Sequence, residues 1–369
     1  MSLQKRVAIY NKIEALRRRP LLVYVTSKRE GVHAEMSSDA LPYIIEQLEA
    51  LPPNTRRLDL LISSFGGDPM TAWRIMSLVR QRVKTVSVLI PQSAYSAATL
   101  LALGADSIVM HPNGHLGPVD MQVSIPSAFG GRRNFSTEVI TAFLDFVRES
   151  LKITDQEHIR ALFESVCKEI GPLGIGFSVR SAKLSVDLGE RLLALHMKDD
   201  DSRSKLRSLV ENMSRKFQSH SYPINRTEAI DIGLKISNRN KKLEALMWEV
   251  WLDIEEEMKE RTPFDPVLEL LASSQAAKLL SPVPQFDLPY NAASPNYFQA
   301  DVDKVLASTA KVDPVDFEVE TSLIESPRTN HACTVKGKIL SCRTPDLMIQ
   351  YNAVMTFKGW LEQSTGASK

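Results

Sequence analysis

Short runs of apolar and β-branched residues alternate, over the first 112 positions, with stretches whose apolar side chains recur every three or four residues. PLLVYVT (20–26), RLDLLIS (57–63), TVSVLIP (85–91) and SIVMHP (107–112) are unbroken enough to predict strands covered on both faces. Between them, SSDALPYIIEQLEAL (37–51), TAWRIMSLVRQRV (71–83) and SAATLLALGA (96–105) carry helical spacing, and residues 4–19 predict a basic amphipathic helix ahead of them all. Strand and helix alternating in steps of this size predict βαβ units around a largely parallel sheet.

Beyond residue 134 the periodicity changes. Residues 134–216 read as a helical insert broken by a glycine-rich turn at GPLGIG (171–176). In SHSYPINRTEAIDIGLKI (219–236), Pro223 ends an extended piece and Thr227 is read as the N-cap of a short helix closed by Gly233. KKLEALMWEVWLDIEEEMKER (241–261) is strongly amphipathic, with Trp248 and Trp251 at helical spacing, and offers an apolar face for subunit contact. Prolines crowd residues 262–300, read as a linker or wrapping arm, and three antiparallel strands are expected within 316–360. The domain reading is a globular unit over 1–236, a helical segment over 237–275, and an arm with a small β module over 276–369.

Composition narrows the class without choosing a chemistry. The 369 residues are 43% hydrophobic and 24% charged, as in globular proteins with a full core. With 45 basic and 44 acidic residues the net charge is +1, so no long-range field recruits nucleic acid or anionic membrane. Cys167, Cys333 and Cys342 lack CxxC spacing, which argues against a zinc ribbon and against a disulfide scaffold, although Cys333 and Cys342 flank a possible hairpin. No stretch approaches the roughly 20 apolar residues that span a bilayer, and MSLQKRVAIYNKIEALRRRP does not read as a signal peptide. A cytoplasmic protein with no metal and no cofactor is expected.

Chemistry concentrates at two successive strand-to-helix bends. In SSFGGDP (63–69), Gly66 and Gly67 leave backbone N–H groups bare beside a helix N-terminus, a geometry that suits a phosphate or an oxyanion. It is neither a P-loop nor a GxGxxG turn. At the next bend, AYSAAT (94–99) presents Ser96 among small residues, where the hydroxyl is either a nucleophile or a helix N-cap. Bends after parallel strands share one sheet edge, so the Ala97 N–H would lie beside that of Gly67. Ser93 competes as nucleophile, and the GxSxG elbow of α/β-hydrolases is absent.

SFGG (64–67), AYSAAT (94–99), HPNGHLGPVDMQ (111–122) and SHSYPI (219–224) before TEAIDIGL (227–234) resemble, in order, TPGG, YAMSGGT, DPNAVLGPVDPQ and THDYPI before EEAKELGL of the serine dehydrogenase proteinase family. Over residues 20–236 the chain is thus similar to the Clp-fold serine proteases. The resemblance does not extend to 237–369, and the N-terminal membrane anchor of many relatives is expected to be missing. It implies a Clp/crotonase-like spiral of ββα units, Ser96 as nucleophile and an oxyanion hole from Gly66, Gly67 and Ala97, cleaving peptide or protein substrates in a homo-oligomer. His220 matches the family's HDYPI histidine, and Asp120 of the GPVD loop would orient it. The other readings are a structural histidine in a YPI turn and a plain loop aspartate. His111 and His115 stand where the family has Asp and Val. Because signal peptide peptidase A uses a lysine, Lys152, Lys168 and Lys183 remain rival bases if burial lowers the amine's pKa. A crotonase-fold acyl-thioester enzyme and a catalytically silent scaffold are the alternatives to a peptidase.

Overall fold

A computed structural model describes residues 3–119, 123–126, 132–135, 137–197, 202–215, 219, 221–274, 312–343 and 349–363. Helix α1 (Leu3–Arg17) leads into β1 (Leu21–Thr26), α2 (Leu41–Glu49), β2 (Arg57–Ser63), α3 (Pro69–Arg82) and β3 (Thr85–Ile90). The two-residue β4 (Ser93–Ala94) precedes α4 (Ala97–Leu103), β5 (Ser107–Met110) and the equally short β6 (His115–Leu116). A hairpin of β7 (Val123–Pro126) and β8 (Arg132–Phe135) opens the insert, followed by α5 (Thr137–Asp145), α6 (Gln156–Ile170), α7 (Pro172–Ala194) and α8 (Ser202–Arg215). The chain closes with α9 (Arg226–Ile232), α10 (Lys241–Glu257), α11 (Pro266–Ala272), β9 (Val315–Glu325), β10 (Asn330–Arg343) and β11 (Ile349–Glu362).

The main sheet runs β11-β10-β9-β1-β2-β3-β5, with β1, β2, β3 and β5 mutually parallel and β9 antiparallel to β1. Register explains why the parallel strands are apolar over most of their length, the exception being the row Asp59, Ser87 and Ser107, where Asp59 and Ser87 are bonded to Arg17 and Arg19. Leu22, Leu60, Val88 and Ile108 form one row across the four strands, facing α2, α3 and α4. Val23, Leu61, Leu89 and Val109 form the next row, facing α1 and α10. Each such side chain, fully buried, contributes on the order of 1.5–3 kcal/mol of transfer free energy, and with helices on both sides neither face of these strands is left to solvent.

A second layer begins where the parallel strands end. Bridges Met36 to Gly67, Ser64 to Ala94 and Leu116 to Ile224, with the β4–β6 pairing, set five extended segments side by side. Each turn of the chain thus gives one strand to the main sheet and one short strand to this layer, the Clp/crotonase-like spiral anticipated from the motifs. The three expected C-terminal strands are present and extend the main sheet through β1.

Several local expectations are corrected. The turn expected over 171–176 is confined to Gly171, at φ +78°; Pro172 then opens α7, which runs straight through Gly174 and Gly176. Asn225, not Thr227, caps α9, in a capping box with Glu228. Cys333 and Cys342 lie on the same strand, β10, so they do not face each other across a hairpin. The apolar face of α10 is spent inside the chain: Leu243, Met247, Val250, Trp251 and Ile254 pack with Ile9, Tyr10 and Ile13 of α1. Within the region read as an arm, α11 is helical, and residues 275–311 lie outside the described residues.

An ion cluster ties both ends of the sequence to α10. The fully buried Arg6 guanidinium donates to both Glu325 oxygens, at 2.8 and 2.6 Å, to Asp253 at 2.6 Å, and to Glu257. Tyr10 adds its hydroxyl to Glu325 at 2.5 Å. A planar fork meeting carboxylates in this way is strong but expensive to disrupt, because any member removed strands a buried charge.

Candidate active site

The two bends lie against each other. Ser64 N–H donates to the Ser93 carbonyl and Tyr95 N–H to the Ser64 carbonyl, both at 3.0 Å, zipping the exits of β2 and β3 together. Gly66 sits at φ +100°, and a Cβ there would meet the Tyr95 carbonyl oxygen at 2.7 Å, the Ser96 Cβ at 2.9 Å and the Ala97 nitrogen at 3.0 Å. Only glycine fits between the bends.

Ser96 occupies the position before α4 but does not cap it. Its backbone stands at φ 51°, ψ −117°, and its side chain makes no capping bond. A non-glycine residue in that region is strained by about 1–3 kcal/mol, and the hydroxyl is half-buried rather than enclosed. Its competitor, Ser93, is fully buried and out of reach of a substrate.

The amides sort themselves. Gly66 N–H is taken by the Ser64 hydroxyl at 3.0 Å, so Gly66 serves as the close-packed element and not as a free donor. Met36 N–H donates to the Gly66 carbonyl at 2.7 Å and Asp68 N–H to the Met36 carbonyl at 2.8 Å. In an extended chain successive residues bond to opposite sides, which turns the Gly67 N–H away from Met36. Among the described residues neither the Gly67 nor the Ala97 N–H has an acceptor. Thr99 fastens the turn from within α4: its hydroxyl reaches the carbonyls of Ala94, at 2.7 Å, and Gly117, at 3.0 Å.

Aromatic rings form a rim. Phe65, 55% exposed at the tip of the first bend, meets Tyr95 edge-on at 5.5 Å, and Tyr95 meets His115 at 5.3 Å. Asp120 and His220 lie outside the described residues. Their chain neighbours come to this edge: Leu116 pairs with Ile224, and Tyr95 donates its hydroxyl to the Ser221 carbonyl at 3.5 Å. His111 lies elsewhere, stacked on Trp248 at 4.8 Å with its Nδ1 accepting from Asn113 N–H, a packing role. Lys152, Lys168 and Lys183 are all exposed and lack the burial a lysine base requires.

One residue escaped the sequence reading. Lys28, just past β1, lies behind the bends with its amine against the hydroxyls of Ser63, at 3.1 Å, and Ser93, at 3.2 Å, and the Gln92 side-chain oxygen. The amine also sits 3.6 Å above the Trp251 ring and 3.8 Å from the Glu260 carboxylate. Burial pulls its pKa down to about 8, against the opposing pull of Glu260 and Glu255. Nothing in its local sequence, TSKRE, marks it.

The sequence model of the ClpP-like SDH-type serine proteinases matches residues 43–130, which include both bends. Two uncharacterized proteins of Methanocaldococcus jannaschii align with 23% identity over 188 residues and 26% over 184, covering 51% and 50% of this chain and 54% of each relative. The chain therefore spans about half the length of the curated relatives it matches. Among solved structures, the 1510-N membrane-bound stomatin-specific protease is 14% identical with a TM-score of 0.35, covering 61% of this chain and 83% of that one. A probable enoyl-CoA hydratase/isomerase from Mycobacterium abscessus is 13% identical with a TM-score of 0.31, covering 70% and 83%. No helix among the described residues is long and apolar enough to cross a membrane. The stretch from Tyr43 to Gly130, with the diglycine bend and the Ser96 turn inside it, carries the signature of the ClpP-like SDH-type serine proteinase family.

Proposed function

We propose that this protein is a serine endopeptidase acting through Ser96. The observation that carries the reading is the meeting of a strained, uncapped, accessible Ser96 with two acceptor-free amides, Gly67 and Ala97. In the reaction the Ser96 hydroxyl attacks a peptide carbonyl while a base takes its proton, and the carbonyl oxygen becomes an oxyanion held by the two N–H groups. Collapse expels the amine, which takes up the base's proton and leaves an ester on Ser96; water, activated by the same base, then releases the acid. His220 is our assignment for the base and Asp120 for the group that orients it, because the residues after His220, Ser221 and Ile224, meet Tyr95 and Leu116, and Leu116 itself lies four positions before Asp120. An extended peptide would add to the short strands of the second layer, with main-chain bonds fixing its register, and the Phe65–Tyr95 rim receiving a side chain.

A fluorophosphonate probe followed by intact-mass measurement and peptide mapping tests the reading. One adduct on Ser96, absent in Ser96→Ala together with peptide hydrolysis, is expected. An adduct on Ser93, or no adduct at all, overturns it, and coenzyme A binding by the unlabelled protein would favour acyl-thioester chemistry instead.

A further inference from the structure

Lysine 28 is a costly residue in a specific place. Its amine is almost enclosed, and burial disfavours the charged form by desolvation, as its lowered pKa records. The sign follows: between about pH 8 and the ordinary lysine value near 10.5, the unfolded chain holds a proton that the folded protein has released. Stability therefore rises with pH across that window, so the charge on Lys28 is retained at a cost to the fold. Methionine would cover Trp251 without that cost. Groups held against stability near a site are candidates for a role in it.

The contacts show which role. Lys28 belongs to the exit of β1, Ser63 to the end of β2, and Gln92 and Ser93 to the exit of β3. One ammonium has three protons, and here three acceptors surround it, one or more from each neighbouring strand end. The groups facing it beyond those acceptors are Glu260, which also accepts from the Lys28 backbone N–H at 3.0 Å, the field of Glu255, the rings of Trp251 and Phe65, and His115. Burial holds His115 below the usual histidine range, and the Lys28 charge pushes it the same way.

We propose that Lys28 is a positioning residue: its ammonium bolts three strand exits together so that the diglycine bend and the Ser96 turn keep their spacing. The functional half of this inference rests on the serine-peptidase reading; the clamp itself does not. Loss of the third proton leaves fewer donors than acceptors, so the clamp loosens at alkaline pH even as the fold as a whole gains stability.

Lys28→Met, which preserves the stem over Trp251, separates the two halves. Amide hydrogen exchange is followed at Ser64 and Tyr95, whose N–H groups zip the bends. At least tenfold faster exchange at those two amides, with α2 and α3 unchanged, is expected; unchanged exchange overturns the clamp. Fluorophosphonate labelling of Ser96 is then profiled from pH 6 to pH 10. In the wild type the rate should fall above about pH 8, and in Lys28→Met it should be at least tenfold lower at neutral pH with no alkaline fall. Equal rates and equal profiles would overturn the positioning role. If the wild type is never labelled, the nucleophile reading fails by itself, and the exchange data still decide the clamp.

Discussion

Ser96 and Gly66 show how a single pair of backbone conformations can define a site. Ser96 lies at φ 51° and Gly66 at φ +100°, each costing something that the other's proximity requires. In Gly66→Ala the added methyl would press on the Tyr95 carbonyl and the Ser96 Cβ while forcing an L-residue into a left-handed backbone. We expect a loss of about 1–3 kcal/mol in chemical denaturation and a drop in Ser96 labelling larger than that loss explains, because the methyl displaces the proposed nucleophile itself. Labelling at the wild-type rate would show that the bends tolerate separation. Of this pair the sequence revealed the types and the order, a diglycine and then a serine among alanines. It did not reveal that Gly66 would spend its amide on Ser64, since that bond depends on how the bend closes.

At the scale of elements, α4 is held by its side chain at Thr99 and not by a cap at Ser96. Thr99→Val keeps the shape but removes the hydroxyl that joins the Ala94 and Gly117 carbonyls. Leaving a buried carbonyl short of its donor costs about 1–3 kcal/mol. The expected result is a lower melting temperature together with faster Ser96 phosphonylation loss at raised temperature, and a variant as stable as wild type would refute the tie. The parallel strands were legible because burial on both faces writes a run of Leu, Ile and Val directly into the chain. Caps were less so: Asn225 and Thr227 are both good N-cap residues two positions apart, and the Glu228 reciprocal bond decides between them. Lys28 was invisible because its partners Ser63, Ser93 and Glu260 are 35, 65 and 232 positions away. A run of four charged or polar residues after a strand, here Ser27 to Glu30, ordinarily reads as a solvated turn.

For the whole molecule, the family signature in residues 43–130 supplies only β2, β3 and β5, one end of a seven-stranded sheet. β9 covers the edge of β1, and the Arg6 guanidinium has its carboxylates on α10 and β9. Removing residues 315–369 should therefore uncover the edge of the buried, mostly apolar strand β1 and deprive Arg6 of its two-oxygen partner Glu325, giving an aggregated product by size-exclusion chromatography despite an intact diglycine bend and Ser96 turn. A soluble, cooperatively melting truncation would show that the early strands stand alone. The Arg6–Glu325 pair, 319 positions apart, also carries a temporal meaning. At roughly 5–20 residues per second of synthesis, about a quarter to a full minute separates the emergence of the first helix from that of its acidic counterpart. Throughout that interval the nascent chain must keep α1 out of competing contacts, because its buried arginine meets Glu325 only once the segment carrying that carboxylate has been made.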